Sequence, residues 1–335
     1  MHVLAAPDKF RGTLTAPEAA AAIAAGARAA GAGCTRLPLA DGGEGTLDAF
    51  GGPNRHARVT GPLGDPVEAG WRLGSGGTAV VEIARAAGLE LAGGAGGNDP
   101  MAAGTSGVGE LVVAALRAGA RRLLIGLGGS ATTDGGLEAV AALEEAGMVE
   151  RFRRTEVLVC CDVRTLFRDA AAVFGPQKGA SPQEVRQLAH RLDRAAEHYR
   201  QRYGRDIAQL PGAGAAGGLA GGLAALGARL VPGFEVIAAE AGLSAALDGV
   251  DLVITGEGEL GAGSFDGKVV GGVTAAARER GLPALAVVGR ADPACTGVEA
   301  VSLSDEFGPE ESWTRTADCV REAVTAHLLR EVIEA

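Results

Sequence analysis

The chain has almost no lysine. Of its 31 basic residues only Lys9, Lys178 and Lys268 are lysines, and arginine carries the rest of the positive charge. Basic charge is short overall, because 41 acidic residues leave a formal net charge of -10. That balance argues against nucleic acid and against a membrane as the main partner, since both are bound through basic surface. Cysteine is scattered: Cys34, Cys160, Cys161, Cys295 and Cys319 are odd in number and form no C-x-x-C pair. Neither a disulfide framework nor a zinc site is therefore expected. No run of about 18 apolar residues occurs, and the opening His-Val-Leu-Ala-Ala lacks the basic and apolar regions of a secretion signal. The expectation is a cytoplasmic protein. A phosphate-binding G-x-x-x-x-G-K-[ST] is also missing, because Val269 follows Gly267-Lys268 and Ala262 stands where the first glycine would be. Two literal G-x-G-x-x-G matches, at 212–217 and 256–261, lack the strand before or the helix after that a dinucleotide site requires.

What the chain has in abundance is glycine, 54 residues in 335, within a composition that is 47% hydrophobic and has a mean hydropathy of +0.16. Such a chain can bury a sizeable core, and its length favours two domains. All three lysines lie within a few residues of a glycine loop. Arginine replaces lysine readily on a solvated face, but less readily where one compact ammonium must meet a phosphate or carboxylate oxygen. The stretch Leu123 to Gly136, LLIGLGGSATTDGG, reads as a buried strand that empties into a ligand loop ahead of a helix over 137–147. There Gly128 and Gly129 let backbone amides approach an anion. Ser130, Thr132 and Thr133 add hydroxyls, and Asp134 can hold a metal, accept a proton or simply cap the helix.

Other loops repeat this texture. A strand over 2–6 leads through Asp8, Lys9 and Arg11 into a helix over 16–31, with Thr15 as its N-cap and Pro17 in its first turn. A strand over 35–39 runs into Asp41-Gly42-Gly43-Glu44-Gly45, where two carboxylates among glycines suit Mg²⁺ or a substrate hydroxyl. Residues 58–84 alternate in short segments broken by Gly-Pro and Asp-Pro, which predicts hairpins. Thr105 and Ser106 open a helix over 105–119 with an anion-ready N-terminus. Lys178 sits between Gly175 and Gly179, ahead of a long amphipathic helix over 182–203. A strand over 251–255 precedes Gly256-Glu257-Gly258, and Asp266-Gly267-Lys268 opens a further helix. A final helix covers about 313–334.

Seven runs in order, APDKFRGTLTA (6–16), ADGGEGT (40–46), VTGPLGDPVEA (59–69), GGSATTDGG (128–136), FGPQKGAS (174–181), PGAGAAGGL (211–219) and ITGEG (254–258), resemble the glycerate kinase family. The resemblance is to the type that phosphorylates D-glycerate at its 2-hydroxyl. It implies transfer from ATP with Mg²⁺, giving 2-phosphoglycerate, on a two-domain α/β scaffold with the site in the cleft between domains. Two places depart from the family pattern. After ITGEG the family usually has an arginine where this chain has Glu259, and Leu260, Gly261, Gly263 and Ser264 also differ. After CDV, the residues Arg164, Thr165 and Leu166 replace the usual Asp-Asn-Pro in a shorter loop.

The expected architecture is α/β. A discontinuous Rossmann-like parallel-sheet domain (1–61 and 246–335) carries an inserted mixed α/β domain (62–245). The expected catalytic residues are Asp41, Asp134, Glu257 and Lys268, with Asp134 and Glu257 holding metal. The hydroxy acid is assigned to Asp8, Lys9, Arg11, Gly42, Gly43 and Glu44. The nucleotide is assigned to Thr105, Ser106, Gly128, Gly129, Ser130, Thr132 and Lys178. The partners are a small hydroxy acid and a nucleotide, with a homodimer left open. A second reading is a silent or substrate-shifted relative that binds a related hydroxy acid.

Overall fold

The structure, a computed structural model, describes residues 1–334. Numbered along the chain, its strands are β1 (His2–Ala5), β2 (Gly33–Arg36), β3 (Arg55–Thr60), β4 (Pro66–Leu73), β5 (Thr78–Glu82) and β6 (Arg122–Gly126). They continue with β7 (Glu156–Cys160), β8 (Arg229–Val231), β9 (Leu252–Leu260), β10 (Ala284–Ala291) and β11 (Glu299–Ser302). Two compact units result. One holds residues 1–41, 48–51 and the chain from Gly233 onward; the other holds 42–47 and 52–232.

The first unit is a parallel sheet in the order β11-β10-β9-β1-β2. Period-two alternation sends Val3 and Ala5 to one face, where they pack with Ile23, Val320 and Val324. Leu4 goes to the other face, with Phe234, Val269 and Val273. Helices therefore cover both sides. The crossover helix Ala16–Ala29 starts at Thr15, whose side chain accepts from the Glu18 amide while Glu18 reaches back to the Thr15 amide. From β1 the chain steps outward to β2, whereas β9 steps the opposite way to β10 and β11. The carboxyl ends of β1 and β9 thus flank the point where strand order reverses, the usual ligand position in such sheets.

The second unit is a mixed sheet in the order β3-β4-β5-β6-β7-β8. Its β3, β4 and β5 pair antiparallel, as the hairpin signals imply, and β5 through β8 are parallel. Val81, Leu123, Ile125, Val157 and Val159 join one core with Val108 and Leu111 of the helix Ser106–Arg117 and with Leu188, Leu192 and Tyr199 of the helix Pro182–Tyr203. Because β3 pairs with β4, residues 55–60 belong to this sheet and not with the chain ends. The helix Gly233–Ala241 packs in the first unit.

Three elements differ from the sequence reading. The strand expected over 35–39 is β2, two residues earlier, because Gly33 pairs with His2 and Pro38 cannot donate to a ladder. The strand expected to stop at Thr255 continues through Gly256-Glu257-Gly258 to Leu260, held by β10 in the register Glu257 to Val288 and Glu259 to Arg290. The final helix is two pieces, Pro309–Thr314 and Thr316–Glu334.

Close helix packing in the first unit rests on Gly26. A Cβ there would lie 2.6 Å from the Arg321 carbonyl oxygen and 2.8 Å from the Val324 Cβ. Alanine is the better helix former by about 1 kcal/mol, but overpacking costs about 1–3 kcal/mol. Gly26→Ala is expected to destabilise the chain in urea denaturation, and a gain in stability would show that this helix pair separates at no cost.

Candidate active site

In the first unit the expected acidic and basic residues gather at the strand-order reversal. Asp8 follows β1, and its backbone amide donates to the Gly256 carbonyl of the neighbouring segment at 2.8 Å. Its Oδ1 accepts the Lys9 amide at 2.7 Å. Burial pushes the Asp8 carboxyl up to about 7, the Asp41 and Glu257 carboxylates push the same way, and the Lys9 amide and ammonium pull against them. Glu257 is raised too, first by burial and then by Asp41 and Glu259, against a hydrogen bond from Ser264 and the charge of Lys268. Its Oε1 is buried and has no partner among the described residues. Lys268 is exposed at the start of the helix Val269–Glu279, and Arg11 is exposed on the loop after Lys9. The Arg11 backbone passes beside Gly258, where a Cβ would come within 3.1 Å of the Arg11 nitrogen.

Two of the glycine motifs meet in the second unit. Leu127 donates its amide to the Gly42 carbonyl at 3.0 Å, and Thr46 Oγ1 donates to the Gly43 carbonyl at 2.7 Å. A Cβ at Gly128 would lie 2.3 Å from the Glu44 nitrogen, so only glycine lets the 42–44 backbone rest on this loop. Beyond it, Leu89 donates its amide to Gly129 O at 2.7 Å and Ala131 donates to Ala87 O at 2.9 Å. Gly129 is left exposed and Ser130 half-buried.

Asp134 lies deeper than a loop carboxylate that meets a metal. It is 3% exposed and accepts from Thr105 Oγ1 at 2.6 Å, the Gly136 amide at 3.0 Å and the Glu138 amide at 3.3 Å. These bonds serve the start of the helix Leu137–Glu145, the capping alternative, while burial raises its carboxyl. Thr105 Oγ1 also accepts the Ala139 amide, and Ser106 Oγ donates to Glu138 at 2.7 Å. A carboxylate already stands at that helix start, which opposes the anion site expected from Thr105 and Ser106.

Lys178 is likewise internal, 2% exposed, with Nζ donating to the Thr132 carbonyl at 2.6 Å. Burial pulls its ammonium down to about 7, partly offset by Asp134. The Thr132 and Thr133 hydroxyls are buried without partners among the described residues. Among the described residues no set of three His, Cys, Asp or Glu side chains forms a ready metal cage.

Sequence reasoning missed Glu82, which is 1% exposed at the end of β5 and accepts the Leu47 amide at 2.7 Å. Its only signal was an acid closing the apolar run Thr-Ala-Val-Val-Glu. Tyr199 was also missed: from the long helix its hydroxyl donates to the Gly135 carbonyl at 2.9 Å.

Two expected outcomes follow from this geometry. The folded chain holds a proton on Asp8 that the unfolded chain releases near 3.8, so stability from this group falls as pH rises from there to about 7. In metal-free buffer Asp8→Asn is expected to melt above wild type at pH 8, with the gap closing towards pH 5 in differential scanning calorimetry. A gap independent of pH would contradict the shift. Asp134→Ala removes three hydrogen bonds from a buried site and is expected to cost about 3 kcal/mol or more, with Asp134→Asn costing less. Turnover lost in the asparagine variant with melting unchanged would return Asp134 to the chemistry.

Among the described residues no helix is long and apolar enough to cross a membrane. The chain matches the glycerate kinase family over residues 3–148 and 137–334. It is 38% identical to the glycerate 2-kinase of Escherichia coli (strain K12), a match covering 92% of this chain and 87% of that protein. It is 36% identical to the glycerate kinase of Halalkalibacterium halodurans, over 86% of this chain and 85% of the relative. A crystal structure from Salmonella typhimurium LT2, described as that of a candidate glycerate kinase 2, superposes with a TM-score of 0.85 at 33% identity, over 100% of this chain and 99% of the other. With motifs, fold and relatives in agreement from one end to the other, the chain belongs to the glycerate kinase family.

Proposed function

We propose that this chain transfers the terminal phosphoryl group of ATP to the 2-hydroxyl of D-glycerate, giving 2-phosphoglycerate and ADP. The observation that carries the reading is the first unit's cluster, in which Asp8, Asp41 and Glu257 meet Lys9 and Lys268 at the strand-order reversal. Phosphoryl transfer is mostly positioning and charge stabilisation, and it needs an acceptor for the hydroxyl proton, cations for the phosphates and carboxylates for the metal. The cluster has all three residue types.

The donor set fits Mg²⁺. Glu257 Oε1 is a buried oxygen with no partner among the described residues, and Asp41 is close enough to raise the Glu257 pKa. Mg²⁺ commonly takes one or two carboxylates together with phosphate oxygens. Glu257 would hold it together with phosphate oxygens, which leaves Asp41 off the metal. When bound, Mg²⁺ neutralises charge on the phosphates. The chain's own groups do the rest. Lys9 and Arg11 meet the glycerate carboxylate. Lys268, at the uncapped start of the helix Val269–Glu279, meets phosphate oxygens together with that helix's positive end. Asp41 takes the hydroxyl proton in this scheme.

The second unit's Gly128, Gly129 and Ser130 take the nucleotide, and the adjoining Gly42, Gly43 and Glu44 serve the hydroxy acid. Lys178, Thr132 and Asp134 hold that loop in shape from within. The departure at Glu259 fits retained activity, because Arg290 pairs with it at 2.6 Å and balances its charge across β9 and β10.

A coupled assay of ADP release over a panel of small hydroxy acids tests the reading. The expected result is turnover with D-glycerate at millimolar levels, and none there would overturn it. Lys268→Met and Lys9→Met keep bulk and remove charge. Each is expected to lower kcat/KM about tenfold or more, roughly 1.4 kcal/mol of transition-state binding. Wild-type kinetics in both would return these lysines to ordinary surface.

A further inference from the structure

We infer that Glu82 is a positioning residue that fixes the loop Gly42–Leu47 against the glycine loop Gly126–Ser130. The inference rests on the reading of the first loop as part of the hydroxy-acid site. Glu82 is 1% exposed, and a carboxylate so deeply buried is costly unless its oxygens are engaged. Both are. Oε1 accepts the Leu47 amide at 2.7 Å, from a segment 35 residues earlier in the chain, and Oε2 accepts Arg85 Nε at 3.2 Å from the short helix Ala84–Ala87 just beyond β5.

The Leu47 amide lies in the first turn of the short helix Thr46–Ala49, where no intrahelical acceptor exists for it. Glu82 therefore ends the acidic loop at a fixed point. The next residue joins it to the glycine loop, because the Ile83 amide donates to the Gly126 carbonyl at 3.0 Å. From Gly126 the chain passes to Leu127, which holds Gly42, and to Gly128, whose missing Cβ admits Glu44. One buried carboxylate and its neighbour thus close a ring from Leu47 through β5 and β6 back to Gly42. The ring sets how the two motif loops face each other. A serine or asparagine could cap the Leu47 amide, but only a carboxylate serves that amide and a guanidinium from a second segment with full charge.

The test uses the full chain and the variants Glu82→Ala and Glu82→Gln, with hydrogen exchange read by peptide and steady-state kinetics read for each substrate. In Glu82→Ala the peptide spanning 42–47 is expected to exchange about tenfold faster or more, while peptides from the helix Ser106–Arg117 stay at the wild-type rate. KM for D-glycerate is expected to rise about tenfold with KM for ATP within about twofold. Glu82→Gln keeps an acceptor for the Leu47 amide and is expected to recover most of both readouts. If the alanine variant fails to fold, the glutamine variant decides, with a smaller shift in the same direction.

Wild-type exchange over 42–47 in the alanine variant would overturn the inference. So would a fall in kcat with both KM values unchanged, since that pattern reflects only a smaller folded fraction. A wild-type chain that turned over no D-glycerate would remove the proposed activity and leave the exchange result intact, so the two failures are separable.

Discussion

Close approach of backbone to backbone at the end of β6 is the constraint on which the second unit's loops depend. A side chain at Gly128 would collide with the Glu44 nitrogen, and one at Gly126 would press on the Gly42 carbonyl at 3.0 Å. Removing those side chains lets two polypeptide segments, far apart in sequence, share hydrogen bonds and leave little room between them. Gly126 and Gly128 thus admit the backbone of the ADGGEGT run. Local flexibility is a poor description of what they supply, since the segments they free are pinned by Leu127, Thr46 and Glu82.

The electrostatic pattern divides by depth. In the first unit, carboxylates crowd one another near the surface, and Asp8 and Glu257 are raised because they are partly desolvated beside like charge. Such crowding is unfavourable until a cation or a proton joins it. In the second unit the charges face inward. Lys178 reaches a carbonyl of the threonine run, and Asp134 gathers amides and a hydroxyl. One set crowds like charge and the other hydrogen-bonds a loop from within, although both read alike as charged residues in glycine-rich sequence.

That likeness explains where the sequence was legible and where it was not. Strands, hairpins and the capped helix start at Thr15 followed from local chemistry, because alternation, turn residues and caps act over a few residues. The cluster of Asp8, Lys9, Asp41 and Glu257 was legible as strand-end loops, since strands in a doubly wound sheet deliver their ends to one edge. The depth of Asp134 and Lys178 was not legible, because it depends on the helix Pro182–Tyr203 and the threonine run packing around them. Glu257 was read as a loop residue, yet its strand persists only because β10, some 30 residues later, continues beside it. Glu82 was invisible for the same reason, as its partner Leu47 lies on another element.

The central claim is transfer to the 2-hydroxyl of D-glycerate, and the position of the phosphoryl group on the product tests it most directly. Phosphorus NMR of the reaction with ATP, Mg²⁺ and D-glycerate resolves the two phosphoglycerates and free phosphate. The expected spectrum shows 2-phosphoglycerate accumulating in step with ADP. A product phosphorylated at the 3-hydroxyl, or inorganic phosphate released without any phosphoglycerate, would contradict it.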